Sequence, residues 1–303
     1  MNTSVFKLTN NGGTVKHLSF KSFVFSGGEV SVKLESSTGV DYIYFNLNSP
    51  HNILARIRNS NDFFELINVI DAIRQQERNL GVKNAIHLTI PYLPYARQDR
   101  VCAKGESFAL KLFCDLINSL NVEKVTIFDP HSDVAPALLN NVVVLKQVDI
   151  INRFQSFINR VLAANNGVFV SPDAGANKKT SEIAKYFNHR EFIRADKLRN
   201  LETGEILETI VYKDDLTGKT VFIADDICDG GRTFIELAKS LKSKGADKVI
   251  LYVTHGIFSK GTETILNSGI DEIYTTNSFF IPDNTKTSNV TVMDISYTLK
   301  LGI

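Results

Sequence analysis

Hydrophobic and polar positions alternate along the first half of this chain in a rhythm typical of α/β proteins. Short apolar runs of strand length at 42–47, 85–90 and 124–128 are separated by helical patterns at 61–78 and 106–119. Strands that alternate with helices form βαβ units, because each helix carries the chain back to the start of the sheet. The pattern predicts an α/β domain with a mostly parallel sheet.

The same rhythm restarts in the second half. Strands are predicted at 167–170, 220–223 and 248–253, with helices at 177–187 and 233–244. A chain of 303 residues is also longer than a typical domain of roughly 100–150 residues. Two tandem α/β domains are therefore predicted.

The domain limits are predicted at 1–145 and 146–303. The tail, 282–303, ends in an apolar stretch and is expected to pack back on a domain, with the first domain as the candidate. A polar segment centred on a glycine, 195–220, interrupts the second domain. Its alternating flanks predict a projecting hairpin or a flexible flap.

Composition narrows the class of protein. With 34 basic and 33 acidic side chains the net charge is +1, so no global field favours nucleic acid or a membrane surface as a partner. The N-terminal segment does not resemble a secretion signal, and no apolar run approaches the ~18 residues of a membrane span. Three cysteines without paired spacing argue against disulfides. We expect a soluble, cytoplasmic protein.

The sharpest local motif is VFIADDICDGGRTF, residues 221–234. An apolar strand ends in Asp225 and Asp226, and a glycine turn then leads into a helix. Ligands of open α/β sheets bind at the carboxyl ends of strands, where these carboxylates can accept hydrogen bonds from ribose hydroxyls. The turn and the helix N-terminus can hold a phosphate through Asp229, Gly230, Gly231, Arg232 and Thr233. The alternative is an ordinary helix start beside two solvated acids.

Two further segments follow predicted strands. In PYLPYARQDR, residues 91–100, the guanidiniums of Arg97 and Arg100 can clamp phosphate oxygens, unless the segment is only a turn with surface charge pairs. In FDPHSD, residues 128–133, Asp129 and His131 stand two positions apart. A carboxylate and an imidazole can form part of a magnesium site with substrate phosphates, or His131 is a plain loop histidine.

Six segments in one order resemble the ribose-phosphate pyrophosphokinase (PRPP synthetase) family across nearly the whole chain. They are 25–29 (FSGGE), 91–100, 128–133, 170–179 (VSPDAGANKK), 221–234 and 254–261 (THGIFSKG). The resemblance implies two phosphoribosyltransferase-like domains, the first binding ATP and the second a ribose phosphate. It implies transfer of the β,γ-diphosphoryl group of ATP to the 1-hydroxyl of ribose 5-phosphate, with Mg²⁺ and with release of AMP.

The resemblance also implies site residues. Lys197 and Arg199 match the family's mobile catalytic loop, where they would stabilise charge in the transition state; the alternative is a solvated basic turn. Metal binding is implied at His131, Asp129 and Asp173, and Asp173 would also lie near the ribose hydroxyls. ATP binding is implied for Phe25, Glu29, Arg97, Gln98, Asp99 and Arg100.

Phe25 and Glu29 would reach the adenine of a neighbouring subunit. This implies a homo-oligomer whose active site is shared between subunits. The alternative is a β-turn with Phe25 in the core.

The chain departs from the family at three places. Gly27 stands where an acid or amide is usual, and few residues precede Phe25, without the family's first helix. These two departures leave the subunit contacts and the control by ADP and phosphate open. In the third, Gly230 lacks the family's hydroxyl and Arg232 replaces a small residue. The acceptor is then either ribose 5-phosphate or a ribose with a substituted 5-phosphate, such as ADP-ribose, which would link the enzyme to NAD metabolism.

Two functions of other classes are alternatives. A non-catalytic regulatory subunit that resembles PRPP synthetase-associated proteins is disfavoured, because His131, Lys197 and Arg199 are all present. A PRPP-responsive regulator would need a basic face or a nucleic-acid-binding module, and the near-zero net charge does not support one.

Overall fold

The structure is a computed structural model that describes residues 3–8, 15–35, 49–188, 191–199, 206–279 and 288–295. These residues group into two compact units. The first runs to Leu145 and includes Ile295, and the second spans Lys146–Asp294. The predicted strand at 42–47 lies outside the described residues.

The first unit is a sheet in which strands alternate with helices. Its elements in chain order are β1 (Thr3–Leu8), β2 (Val15–Leu18), β3 (Phe20–Val24), β4 (Val30–Leu34), β5 (His51–Ala55), α1 (Ser60–Leu80), β6 (Ile86–Ile90), α2 (Ala109–Ser119), β7 (Lys124–Phe128), α3 (Val134–Leu138) and β8 (Val142–Leu145). The sheet has the order β2-β1-β5-β6-β7-β8, and β5 to β8 are parallel. β3 and β4 form a separate antiparallel hairpin.

The first long helix shows how the local sequence sets an element's limits. Before α1, the Asn59 side chain accepts a hydrogen bond from the Asp62 N–H at 3.0 Å. After α1, Gly81 takes a left-handed φ of 65°, which a glycine adopts at little cost. Between these caps, apolar residues spaced by three or four positions are fully buried against the sheet: Leu66, Val69 and Ile73.

The second unit has a longer sheet. Its elements are α4 (Gln147–Ile151), α5 (Gln155–Leu162), β9 (Gly167–Ser171), α6 (Asn177–Tyr186), β10 (Phe192–Arg199), β11 (Ile206–Val211), β12 (Thr220–Cys228), α7 (Arg232–Ser243), β13 (Lys248–Gly256), α8 (Glu263–Leu266), β14 (Glu272–Thr276) and β15 (Val290–Met293). The order is β11-β10-β9-β12-β13-β14-β15. Among the described strands of this sheet, β10 and β11 pair antiparallel, as a hairpin requires, and the other pairs are parallel.

Both faces of this second sheet are buried. On β12, Val221 and Ile223 belong to one core cluster, whereas Phe222 and Ala224 belong to a cluster on the other face. Successive side chains of a strand point to opposite faces, so a strand covered on both sides reads as a continuous apolar run. The second face is rich in aromatic rings, and Phe157 lies 5.0 Å from Tyr252 between ring centroids.

The strand order of the second unit reverses direction at β9. From β9 the chain moves outward to β10 and then returns to the other side of β9 to form β12. At such a reversal the connections after the two inner strands diverge and leave a crevice outside their carboxyl ends. The segment after β9 and the carboxyl-terminal end of β12 are therefore positioned to bind a ligand.

Three predicted limits were wrong by three residues or more: the start of α2 and the ends of β12 and β13. The helix predicted at 106–119 begins at Ala109, because the Glu106 carboxylate accepts the N–H groups of Cys102 and Ala103 and holds that stretch in a turn. The strand predicted to stop at Ile223 continues to Cys228, because β12 stays paired with β13 after its pairing with β9 has ended.

Parallel sheets flanked by helices are confirmed. None of the described helices is long and apolar enough to cross a membrane.

Candidate active site

The acidic part of the site lies where β12 extends past β9. The ladder between these strands ends at Ile223, so Asp225 and Asp226 stand beyond the end of β9 while still held by β13. Asp225 Oδ1 accepts a hydrogen bond from the Asp226 N–H at 2.9 Å. Asp226 is buried, and the Lys179 ammonium lies 3.8 Å from its Oδ2.

Asp173 joins this cluster from the turn after β9. Its Oδ1 accepts the Ala176 N–H at 3.1 Å, and its carbonyl oxygen accepts the Ser171 hydroxyl at 2.7 Å. The pKa of Asp225 is raised well above its ordinary value, first because its carboxyl is buried and then because of the negative charges of Asp226 and Asp173. The structure thus brings the three predicted acids together.

Gln147 is a functional candidate that sequence reasoning missed. Its side chain is 3% exposed, and its Nε2 donates a hydrogen bond of 2.6 Å to the carbonyl oxygen of Asp225. The same nitrogen lies 3.5 Å from the Thr254 hydroxyl. Gln147 therefore ties the first turn of α4 to the main chain that carries the acid pair. A glutamine at the start of a short helix gave no sequence signal of this contact, which spans 78 positions.

The predicted phosphate site, which we call the phosphate loop (Asp229–Thr233), joins β12 to α7. Gly231 precedes α7 with a left-handed φ of 77°, and no side chain caps the first turn. A Cβ on Gly231 would lie 2.6 Å from Cγ1 of Ile265, so both conformation and space require glycine here. The first N–H groups of a helix have no partner within it and favour an anion. Arg232 and Thr233 occupy the first two helical positions.

The predicted catalytic pair lies in the β10–β11 ribbon. Lys197 is paired with Thr209 and Arg199 with Ile206, with an irregular register between Leu198 and Arg199. Both residues are in a strand, so the alternative of a basic turn is wrong for their backbone. Their side chains lie outside the described part of the chain.

The ATP-binding candidates of the first unit follow β6. Arg97 and Gln98 are exposed, whereas Asp99 is buried. Arg100 binds the Asp99 carboxylate with Nε at 2.7 Å from Oδ1 and Nη2 at 3.1 Å from Oδ2. This is the charge pair that the turn alternative anticipated, and the side chains of Arg97 and Arg100 are both exposed.

The segment after β7 lies against the segment after β6. The pKa of Asp99 falls to about 2, first because of the hydrogen bond from Arg100, with further lowering by a hydrogen bond from Ser132 and by the charge of His131. Asp129 is buried with a φ of 38°, and its N–H donates to the Leu145 carbonyl at 2.7 Å. His131 is exposed. The structure thus places Arg100, Asp99 and His131 at one end of this sheet.

Phe25 and Glu29 lie at the turn of the β3–β4 hairpin. The Phe25 N–H donates to the Glu29 carbonyl at 2.9 Å, and Gly28 closes the turn with a φ of 93°. Phe25 is 52% exposed, and its ring packs edge-on against Phe23 at 4.8 Å. The alternative that placed Phe25 in the core is wrong.

The donor groups of the second unit suit a magnesium ion that arrives with substrate. No three His, Cys, Asp or Glu side chains form a ready metal cage among the residues whose side chains are described. Mg²⁺ binds many proteins through one or two carboxylates, with waters and substrate phosphates as the other ligands. The pKa of Asp225 is raised first by burial and then by the negative charges of Asp226 and Asp173, and such an ion would offset these charges. His131 and Asp129 supply a second candidate set in the first unit.

Comparisons with known proteins show which family the chain resembles. The family model of the N-terminal domain of ribose phosphate pyrophosphokinase matches residues 8–120, and that of the phosphoribosyl synthetase-associated domain matches 138–303. A ribose-phosphate pyrophosphokinase of Shewanella oneidensis is 31% identical and aligns over 92% of this chain and 84% of its own. One from Sulfurisphaera tokodaii is 30% identical over 77% and 76%.

A solved structure has the same fold. The phosphoribosylpyrophosphate synthetase from Mycobacterium smegmatis superimposes with a TM-score of 0.77 at 22% sequence identity, covering 94% of this chain and 89% of that one. At that identity the likeness concerns the fold. The family follows from the matched domains and the relatives: this chain belongs to the ribose-phosphate pyrophosphokinase family.

Proposed function

We propose that the protein transfers the β,γ-diphosphoryl group of ATP to the 1-hydroxyl of ribose 5-phosphate, giving PRPP and AMP. The observation that carries this proposal is the meeting of Asp173, Asp225 and Asp226 beside the phosphate loop at the reversal of strand order. Carboxylates there can hold the ribose hydroxyls while the helix N-terminus holds the 5-phosphate. The relatives named as ribose-phosphate pyrophosphokinases support the same reaction.

In the proposed reaction, the ribose O1 attacks the β-phosphorus of ATP. The bond from that phosphorus to the oxygen bridging the α-phosphate breaks, AMP leaves with the oxygen, and the hydroxyl proton passes to solvent. Mg²⁺, when bound, would neutralise charge on the phosphates and orient them. Asp225 and Asp226 fix the acceptor, and Lys197 and Arg199 stabilise the negative charge that spreads over the transferred group.

We assign ATP binding to the first unit. Arg97 and Gln98 are exposed after β6, which makes them available to the phosphates, and Asp99 and Arg100 fix the shape of the segment. The exposed Phe25 suits stacking on an adenine, with Glu29 beside it. We therefore propose a homo-oligomer in which this hairpin serves a neighbouring subunit's ATP. The three cysteines are free thiols, which suits the cytoplasm that we propose as its location.

One experiment tests the reaction and its alternatives. Purified protein is incubated with ATP, Mg²⁺ and either ribose 5-phosphate or ADP-ribose, and AMP and the diphosphorylated product are measured. We expect both with ribose 5-phosphate and little with ADP-ribose, which no comparison supports. A preference for ADP-ribose would make the substituted ribose the substrate. If no AMP is formed with either acceptor, the regulatory-subunit alternative is favoured.

A further inference from the structure

The segment that follows β13, 257–265, packs against the phosphate loop. The N–H groups of Ile257 and Phe258 donate to the Cys228 carbonyl at 2.8 and 3.1 Å, just before that loop begins. Ile265 lies so close to Gly231 that a Cβ there would overlap it at 2.6 Å. The segment therefore forms a wall along one side of the phosphate loop.

Within this wall, Lys260 crosses the face of Gly230. A Cβ built on Gly230 would lie 3.6 Å from Cε of Lys260 and 3.7 Å from its Cδ. The lysine stem therefore lies within van der Waals reach of any side chain at this position, and the ammonium is one bond beyond Cε. A lysine commonly packs its methylene groups on a surface while its charged end stays in water.

The charge of Lys260 is available to a ligand. The residue is exposed, and its ammonium has no ion-pair partner among the described residues. By contrast, Lys239 on α7 is paired with Glu236 at 2.9 Å, and Lys242 with Asp271 at 2.9 Å. An unpaired cation beside a turn that presents N–H groups matches the charge of a phosphate monoester.

We propose that Lys260 binds the 5-phosphate of the acceptor and takes the place of the hydroxyl that Gly230 lacks. This inference rests on the proposed function. A Cβ at Gly230 would touch the Lys260 stem at ordinary van der Waals distance, so the two positions are direct neighbours. A cationic donor from the neighbouring wall then replaces a neutral donor from the loop itself.

The test compares Lys260→Ala and Lys260→Arg with wild type, and Lys239→Ala serves as the matched control on α7. Loss of a charged hydrogen bond should raise the KM for ribose 5-phosphate about tenfold or more in Lys260→Ala, with little change in the KM for ATP or in kcat. Lys260→Arg should keep most of the affinity. The difference between wild type and Lys260→Ala should shrink at high salt, because the lost contact is ionic.

The affinity of wild type and of Lys260→Ala for ribose 5-phosphate, measured by calorimetry, separates this inference from the proposed function. If wild type binds the sugar phosphate but forms no AMP, the proposed function fails and the affinity of Lys260→Ala still decides the inference. An unchanged affinity in Lys260→Ala, or an equal rise in both KM values, overturns the role of Lys260. If wild type does not bind ribose 5-phosphate, both proposals fall.

Discussion

Both units carry buried acidic residues at or after the carboxyl ends of parallel strands, but the pKa values of Asp99 and Asp225 are shifted in opposite directions. In the first unit Asp99 is neutralised by Arg100, and its pKa falls to about 2. In the second, the pKa of Asp225 rises because its carboxyl is buried near Asp226 and Asp173. In the first unit an arginine of the protein offsets the carboxylate charge. In the second unit the buried acid cluster carries negative charge that a bound cation can offset and that substrate hydroxyls can contact.

The sheet topologies help to explain this difference. In the first unit β5 to β8 follow one another in space as they do in sequence, so the segments after β6 and β7 are neighbours that can bond to each other. In the second unit the order reverses between β9 and β12, so the segments there diverge and leave a crevice.

The largest expected effect comes from removing the charge of Asp225. Asp225→Asn should lower turnover by about 10³-fold, because it disturbs both the acceptor position and the cation site. The same variant should melt at a higher temperature than wild type at neutral pH, since the buried charge is gone. Enzyme assays and thermal melts, with Asp247→Asn on the exposed surface as control, check both effects.

The difference in melting temperature between Asp225→Asn and wild type should depend on pH in a defined direction. The folded chain binds the Asp225 proton more tightly than the unfolded chain, so this stabilisation is present at low pH and is lost as the pH rises through the folded pKa. The gain in melting temperature of Asp225→Asn should therefore vanish near pH 3. Mg²⁺ should raise the melting temperature of wild type more than that of the variant. Equal responses would remove Asp225 from the cation site.

A smaller effect is expected from the ribbon of β10 and β11. Lys197→Ala and Arg199→Ala should each lower kcat by about 10²-fold while the KM for ATP changes little, because their contacts strengthen only as charge develops. Steady-state kinetics and ATP binding measured separately distinguish the two quantities. Equal loss of binding and turnover would make these residues ground-state anchors.

Gln147 should have a moderate effect through Asp225. Gln147→Met keeps the length of the side chain but removes the 2.6 Å hydrogen bond, and a displaced acid pair should raise the KM for ribose 5-phosphate about tenfold. The KM for ATP should stay constant, which a general loss of structure would not allow. Gln155→Met, in the exposed first turn of α5, is the control. If both variants behave alike, Gln147 is only a packing residue.

The smallest expected effect concerns Asp99. Its pKa is lowered in the folded state, so its contribution to stability is present above the unfolded pKa and is lost as the pH falls toward 2. Asp99→Asn should reduce the free energy of unfolding at pH 7 by about 1–2 kcal/mol, since Arg100 is largely exposed. Denaturant unfolding at pH 7 and pH 3 measures the difference. Asp115→Asn, in the exposed pair with Lys111, should change stability by less than about 0.5 kcal/mol.

Much of the fold and part of the site could be predicted from the local pattern. The alternation of apolar runs and helical stretches predicted β6, β7, α6 and α7 to within a few residues, because burial on one or both faces sets the period of the sequence. Asp225, Asp226 and the phosphate loop were predicted because an acid pair, a glycine turn and a helix start follow one another directly. The residues of this motif are adjacent in sequence, so their arrangement depends little on distant parts of the chain.

Only the tertiary structure decided which segments that lie far apart in the chain contact each other. β12 continues to Cys228 because β13 stays beside it, Gln147 donates a hydrogen bond to the Asp225 carbonyl across 78 positions, and Lys260 lies beside Gly230. The opposite pKa shifts of Asp99 and Asp225 likewise come from their neighbours in space. Residue type and spacing determine which groups can do chemistry, but the strand order determines which groups meet, because the carboxyl ends of strands approach each other only after the sheet has assembled.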